Sequence, residues 1–302
     1  MLTWLRSRVL SGATSPFGHA PYPLAETLSY PGDPGLLGPD SVSWKVIGDV
    51  SAFAGGIRAL LVQAAHAEVM AGVADHSRYE ADPLGRLSRT SAYVTATTYG
   101  AAPEVEAAVR LVRRAHRPVE GVSERGREYS AGDPGHAAWV HNVLTDSFLA
   151  TYLAYGADRL TVEEADSFVR EQRAVGALLD ADPIPEASAG LAAWVDGHPD
   201  LVPTEGMNEA VRFLRNPPLG RVLKVGYALL YAGAVATLPA RVREVLGVRR
   251  IPGGRLAGKA VIGVLRWALG FSPSWNLALV RVGAEVPPGL FHQPLPTERQ
   301  KL

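Results

Sequence analysis

The chain of 302 residues contains no cysteine. That excludes disulfides, thiolate metal sites, iron–sulfur clusters and a thiol nucleophile, as well as covalent c-type haem, which needs a C-x-x-C-H attachment site. An excess of one charge is also absent: 30 basic residues stand against 30 acidic ones. Nothing in that balance attracts nucleic acid in general, and no nucleic-acid partner is expected. Long hydrophobic runs are missing as well. The N-terminal MLTWLRSRVLSGATS has only scattered apolar residues and is not read as a secretory signal. The longest apolar run, Val225 to Pro239, falls short of the roughly 20 residues that a spanning helix needs. The location read from these absences is cytoplasmic. That run reads first as a buried helix. Flanking Arg221, Lys224, Arg241 and Arg243 make a membrane-resting helix the alternative, so membrane contact is allowed by the sequence without being expected.

Familiar catalytic signatures are lacking too. There is no G-x-S-x-G elbow, no phosphate-binding G-x-x-x-x-G-K-[ST], no H-E-x-x-H zinc helix and no G-x-G-x-x-G after a strand. The glycine-rich PGDPG and IPGGRLAGK lack the strand–turn–helix setting that a nucleotide site requires.

What the sequence does contain is apolar material at helical spacing. Apolar residues make up 47% of the chain, enough for a large core. Residues 1–50 are rich in Pro and Gly and read as an irregular arm. From Ser51, where a helix N-cap is expected after Asp49, apolar residues recur at three- and four-residue steps as far as Val73. Further helices are expected from about Arg86 to Tyr99, Glu104 to His116, His136 to Tyr155, and from the capping-box segment at Thr161 to about Leu179. Others are expected over 186–196, 206–215, 220–246 and 257–269. No alternating run is long enough for a sheet. The reading is one all-α domain over 51–285, with a C-terminal tail over 286–302.

Histidines on apolar faces are the first candidates for chemistry. Val105, Val109, Val112 and His116 form one stripe at steps of four, three and four. A buried imidazole there must find a partner, and iron or a backbone carbonyl would serve. His66 stands in the same relation to Val62, Val69 and Val73, and His141 shares a face with Thr145, Phe148 and Tyr152. Arg86, Arg89 and Thr90 fall at i, i+3 and i+4. Two guanidiniums and a hydroxyl there can hold an anionic group, or the arginines can pair with Asp75 or Asp82.

Taken together, these residues resemble a known family. The segment from GDVSAFAGG to TATTYG carries Gly56, Arg58, Gln63, His66, His76, Ser77, Asp82, Pro83, Arg86, Arg89 and Thr90 in the order found in the catalytic domain of the rubber oxygenases and the fungal MpaB-type oxygenase. Downstream, VRRAHRPVEG and YSAGDPGHAAWVHNVLTDSF are similar to the family's V-R-x-x-H-x-x-V-x-G and D-P-x-x-x-x-W-V-H motifs. The resemblance is good over about 44–180 and loose beyond. It implies a globin-like helical core around non-covalent haem b, with His116 as the iron ligand and dioxygen and an apolar small molecule, isoprenoid or lipid-like, as reactants. Arg86 would anchor a propionate. Arg89 and Thr90 would lie near the haem edge, with Arg89 replacing the family's lysine. His66 would be the distal proton donor and His141 its rival for either histidine role. Ala67 stands where the family has proline. No equivalent of the glutamate proposed as base in polymer cleavage is found, since Met70 sits near its place. The alternatives are a haem-binding sensor or carrier with two axial histidines, and a haem-free member that binds an apolar ligand.

Overall fold

The computed structural model describes residues 21–77 and 83–296, apart from the side chains at 83–86 and 222. Among the described residues there are thirteen α-helices and one two-stranded hairpin. They run α1 (Val42–Gly48), α2 (Ala52–Ala64), α3 (Ala67–His76), α4 (Pro83–Tyr99), α5 (Ala102–His116), β1 (Glu120–Val122), β2 (Glu128–Ser130), α6 (Pro134–Tyr155), α7 (Val162–Ala177), α8 (Ser188–Gly197), α9 (Glu205–Arg215), α10 (Arg221–Ala236), α11 (Ala240–Val245), α12 (Gly254–Leu269) and α13 (Pro273–Val282). The fold is all-α, as expected. The antiparallel hairpin, with Gly121 opposite Tyr129, is too short for an alternating pattern to show.

The centre of the molecule is α6. Asp133 caps it by accepting from the His136 N–H at 2.9 Å, Pro134 occupies its first turn, and Gly156 ends it. Its buried residues, among them Trp139, Val143, Asp146, Leu149 and Tyr152, face all directions. A helix buried all round must be enclosed by others, and α2, α7, α8 and α12 pack against it. The closest neighbour is α2. Gly55 allows this approach, because a Cβ there would lie 2.8 Å from Phe148 and 2.9 Å from the Thr151 hydroxyl. On the far side α10 crosses α12 at Gly233 and Gly258, where a Cβ on either would meet the other's Cα at 2.7 Å.

Ionic contacts hold the same helices in register. Arg58, 2% exposed on α2, reaches Asp146 on α6 at 2.7 Å and the Ser147 hydroxyl at 2.7 Å. Its Nε donates to the Thr237 carbonyl at the end of α10. Asp49 accepts two bonds from Arg266 of α12, at 3.0 and 2.8 Å.

Three expectations are revised. The stretch read as an irregular arm ends in α1, which Ser41 caps and whose Trp44 is fully buried. Burying a side chain of that size stabilises the fold by at least about 3 kcal/mol. The helix expected through 51–73 is two helices, since the chain turns out of helical geometry at His66 (φ −92°, ψ 117°). The apolar run at 225–239 is half buried: Tyr231 to Val235 are enclosed, whereas Val225 is 65% exposed. Among the described residues no single helix is long and apolar enough to cross a membrane, though α1 and α2, bent by 88°, together reach that length and composition.

Replacing Arg58 with Met leaves Asp146 charged and buried without its partner. The expected cost is about 3–5 kcal/mol, read as a lower urea midpoint with unchanged helical circular dichroism below the transition.

Candidate functional site

Two settings gather the chemistry-bearing side chains. The first is built by the break at residue 66. His66 caps α3: its Nδ1 accepts from the Val69 N–H at 3.4 Å, and its carbonyl accepts from Met70 at 2.9 Å. A backbone bridge from His66 to Leu201, with the Val202 N–H donating to the Ala65 carbonyl, draws the segment after α8 to this break. That segment brings His198 and Asp200. The first two turns of α6 bring His136 and Trp139, and α8 brings Trp194.

The rings pack at contact distance. The His66 centroid lies 5.1 Å from that of His198, 5.5 Å from His136 and 5.4 Å from Trp139. His198 is 4.8 Å from both Trp139 and Trp194. One ligand atom each from His66, His198 and Asp200 lies within 4.8 Å of the others, which makes the three a candidate metal-ligand set. Burial and the neighbouring His198 and His136 push the His66 pKa down to about 3, so its ring is neutral. Burial raises the pKa of Asp200, but the hydrogen bond from Arg125 and the charges around it outweigh that and hold it below the usual carboxylate range. Glu68, 3% exposed, lies 3.5 Å from both His66 Nδ1 and Arg125, and its Oε2 has no hydrogen-bond partner among the described residues.

The second setting is the wall formed by α4 and α5. Along the α5 stripe Val105 is buried, Val109 and Val112 are half-buried, and His116 is exposed. The packing of α5 is chiefly with α4, while Arg113 in its last turn reaches the Leu178 carbonyl and Asp180 beyond α7. His116 is accessible, yet the surrounding protein lowers its pKa through desolvation. The ring makes no hydrogen bond among the described residues. On α4 the Tyr93 hydroxyl is buried without a hydrogen-bond partner among the described residues, and burial pushes its pKa up to about 12. Arg89 and Thr90 are exposed on the same helix; the Arg86 side chain and Asp82 lie outside the described residues. Asp75, expected as an arginine partner, accepts from the Tyr129 hydroxyl.

His141 is in neither setting. Its Nε2 is buried without a hydrogen-bond partner among the described residues and packs against Gly176 of α7, where a Cβ would approach it to 2.9 Å. Among the described residues no ring contact or hydrogen bond joins His66, His116 and His141 to one another. The sequence reading passed over His136, His198 and Asp200. His198 and Asp200 sit more than a hundred residues from His66, in a turn with no periodicity to mark them.

The sites can be tested for fit to haem from these observations. Haem needs a neutral imidazole, an apolar wall and basic groups for its propionates. The valine stripe of α5, ending in a His116 ring without a hydrogen bond among the described residues, with Arg89 exposed and the Tyr93 hydroxyl buried on the adjoining helix, fits that requirement.

Burial pushes the pKa of His141 down to about 4. A folded pKa below the unfolded value near 6.5 gives stability that is complete above pH 6.5 and is lost as pH falls towards 4, by about 1.4 kcal/mol per pH unit. The stability difference between wild type and His141→Leu, from urea unfolding at pH 7.5 and 5, is therefore expected to shift against wild type at the lower pH. A pH-independent difference would contradict this.

A family model described as ER-bound oxygenase mpaB/B'/Rubber oxygenase, catalytic domain, matches residues 44–267. No curated protein matches, and no solved structure does. The family suggests oxygenase activity. The match runs from the buried Trp44 of α1 to Trp267 of α12 and takes in both settings, so the chain belongs to the mpaB/rubber-oxygenase catalytic-domain family.

Proposed function

We propose that the protein is a haem b-dependent oxygenase that acts on an apolar small molecule, isoprenoid or lipid-like in character. The observation that carries this reading is His116, exposed at the end of the α5 valine stripe and without a hydrogen bond among the described residues. An imidazole so placed is suited to ligation.

In this reading His116 holds the iron through a neutral ring nitrogen. The lowered pKa assists, because it keeps the ring unprotonated at neutral pH. Haem with an open coordination position supplies dioxygen activation when bound. Arg86 and Arg89 on α4 bind the propionates, and Arg89 offers a forked donor pair where the family pattern has a lysine. The Thr90 hydroxyl, one residue on, would offer a hydrogen-bond donor at the edge of the site. Val109 and Val112 exclude water from the ligated face. The packing of His141 Nε2 against Gly176 speaks against His141 as a second axial ligand, and so against a six-coordinate carrier built on that pair. His66, enclosed by His136, Trp139 and His198, is not assigned the proton-donor role expected of it.

Protein expressed with haem precursor is expected to show a Soret band and a five-coordinate ferrous spectrum that changes on admitting air. His116→Ala is expected to lose the band while keeping wild-type circular dichroism. A six-coordinate low-spin spectrum indifferent to dioxygen would favour a carrier, and a colourless folded wild type would overturn the haem reading.

A further inference from the structure

Three imidazoles meet at the α2–α3 break, and each has its Nδ1 engaged by a backbone group. His136 Nδ1 lies 3.0 Å from the Ser130 carbonyl, His66 Nδ1 is taken by the Val69 N–H with Glu68 at 3.5 Å, and His198 Nδ1 accepts from the Asp200 N–H at 3.4 Å. No hydrogen bond of any of the three Nε2 atoms is found among the described residues. A ring whose Nδ1–H meets a carbonyl or carboxylate is oriented to bind a metal through Nε2. His136 has this arrangement through Ser130, whereas His66 and His198 must release their 3.4 Å contacts from backbone N–H groups to carry the ring proton on Nδ1. Asp200 also has one atom held and one open. Arg125 at 3.1 Å and Arg127 at 2.7 Å both bind its Oδ1, and Oδ2 carries no hydrogen bond among the described residues.

We infer that His66, His198 and Asp200, with His136 beside them as a further donor, form a binding site for a divalent transition-metal ion, distinct from the His116 setting. Two rings that ligate one ion through Nε2 at about 2.1 Å in tetrahedral geometry place their centroids about 5 Å apart. The His66–His198 separation is 5.1 Å. Two or three imidazoles with one carboxylate is a donor set for zinc or ferrous iron, whereas Mg²⁺ and Ca²⁺ prefer oxygen ligands alone. Moving the His66 proton to Nδ1 frees its Nε2 for the ion and exchanges the 3.4 Å contact from the Val69 N–H for a donor to the buried Oε2 of Glu68, 3.5 Å away and without a hydrogen bond among the described residues. Arg125 and Arg127 oppose the ion's charge, and Glu68 and Asp200 together balance them. The ion would tie the α2–α3 break, the start of α6 and the turn after α8 into one unit.

The test is a titration of chelator-treated, full-length protein with Zn²⁺ against a chromophoric competitor, with Mg²⁺ in excess. One equivalent of Zn²⁺ is expected to bind despite the Mg²⁺. His198→Ala and the near-isosteric Asp200→Asn are each expected to weaken binding at least tenfold, and His116→Ala to leave it unchanged. The haem Soret band of His198→Ala is expected to match wild type, which separates this site from the haem reading. Circular dichroism of Asp200→Asn checks that lost binding is not lost folding. Absence of stoichiometric Zn²⁺ binding, or binding unaltered by both cluster variants, would overturn the proposal. Metal content of protein purified without chelator then tells zinc from iron.

Discussion

Arg58 is the side chain on which the interior turns. A guanidinium 2% exposed in the core must be neutralised and fully bonded, and its partners come from two other helices, Asp146 and Ser147 on α6 and the Thr237 carbonyl after α10. Satisfying one charge therefore fixes three helices in rotation and register. The close approach at Gly55 follows from the same constraint, because α2 must lie near α6 for Arg58 to reach Asp146. With α2 fixed, its end at Ala64 and the turn at His66 are fixed as well.

The break at His66 is what brings distant chain together. A continuous helix would have left the Ala65 carbonyl inside its own ladder. As it is, that carbonyl accepts from Val202, and the turn holding His198 and Asp200 is drawn against His66. The resulting cluster is neutral at its centre, with its carboxylates and guanidiniums around it. The α4–α5 wall is different in kind: its valine stripe is buried or half-buried and ends at the exposed His116. The same helical body thus carries one imidazole-rich polar site and one apolar helix wall.

Much of the all-α fold was legible in the sequence because local signals are strong in it. The capping box at Thr161, the Asp133–Pro134 start and Gly156 end of α6, and the valine stripe of α5 are each decided within a few residues. His116 stood out for the same reason, as the last member of a periodic stripe. What misled was periodicity across a break that carries no glycine or proline. AAHAEV looks helical throughout, and only a capping bond from the His66 ring and the bridge to Leu201 end one helix and begin another.

The sequence by itself determined the helical class, the family motifs and the ring of candidate histidines, since spacing along one helix is a property of neighbours in the chain. It also determined what chemistry is absent, because no fold can supply cysteines that the chain lacks. The tertiary structure decided which histidines meet. His66 joins His136 and His198 through contacts spanning up to 132 residues, a pairing set by burial of Arg58 and the packing of α2 on α6. His141 was turned against Gly176 by the α6–α7 contact, and His116 was left on an open wall because α5 packs chiefly with α4. Those outcomes depend on how helices distant in sequence share volume, which no local pattern encodes.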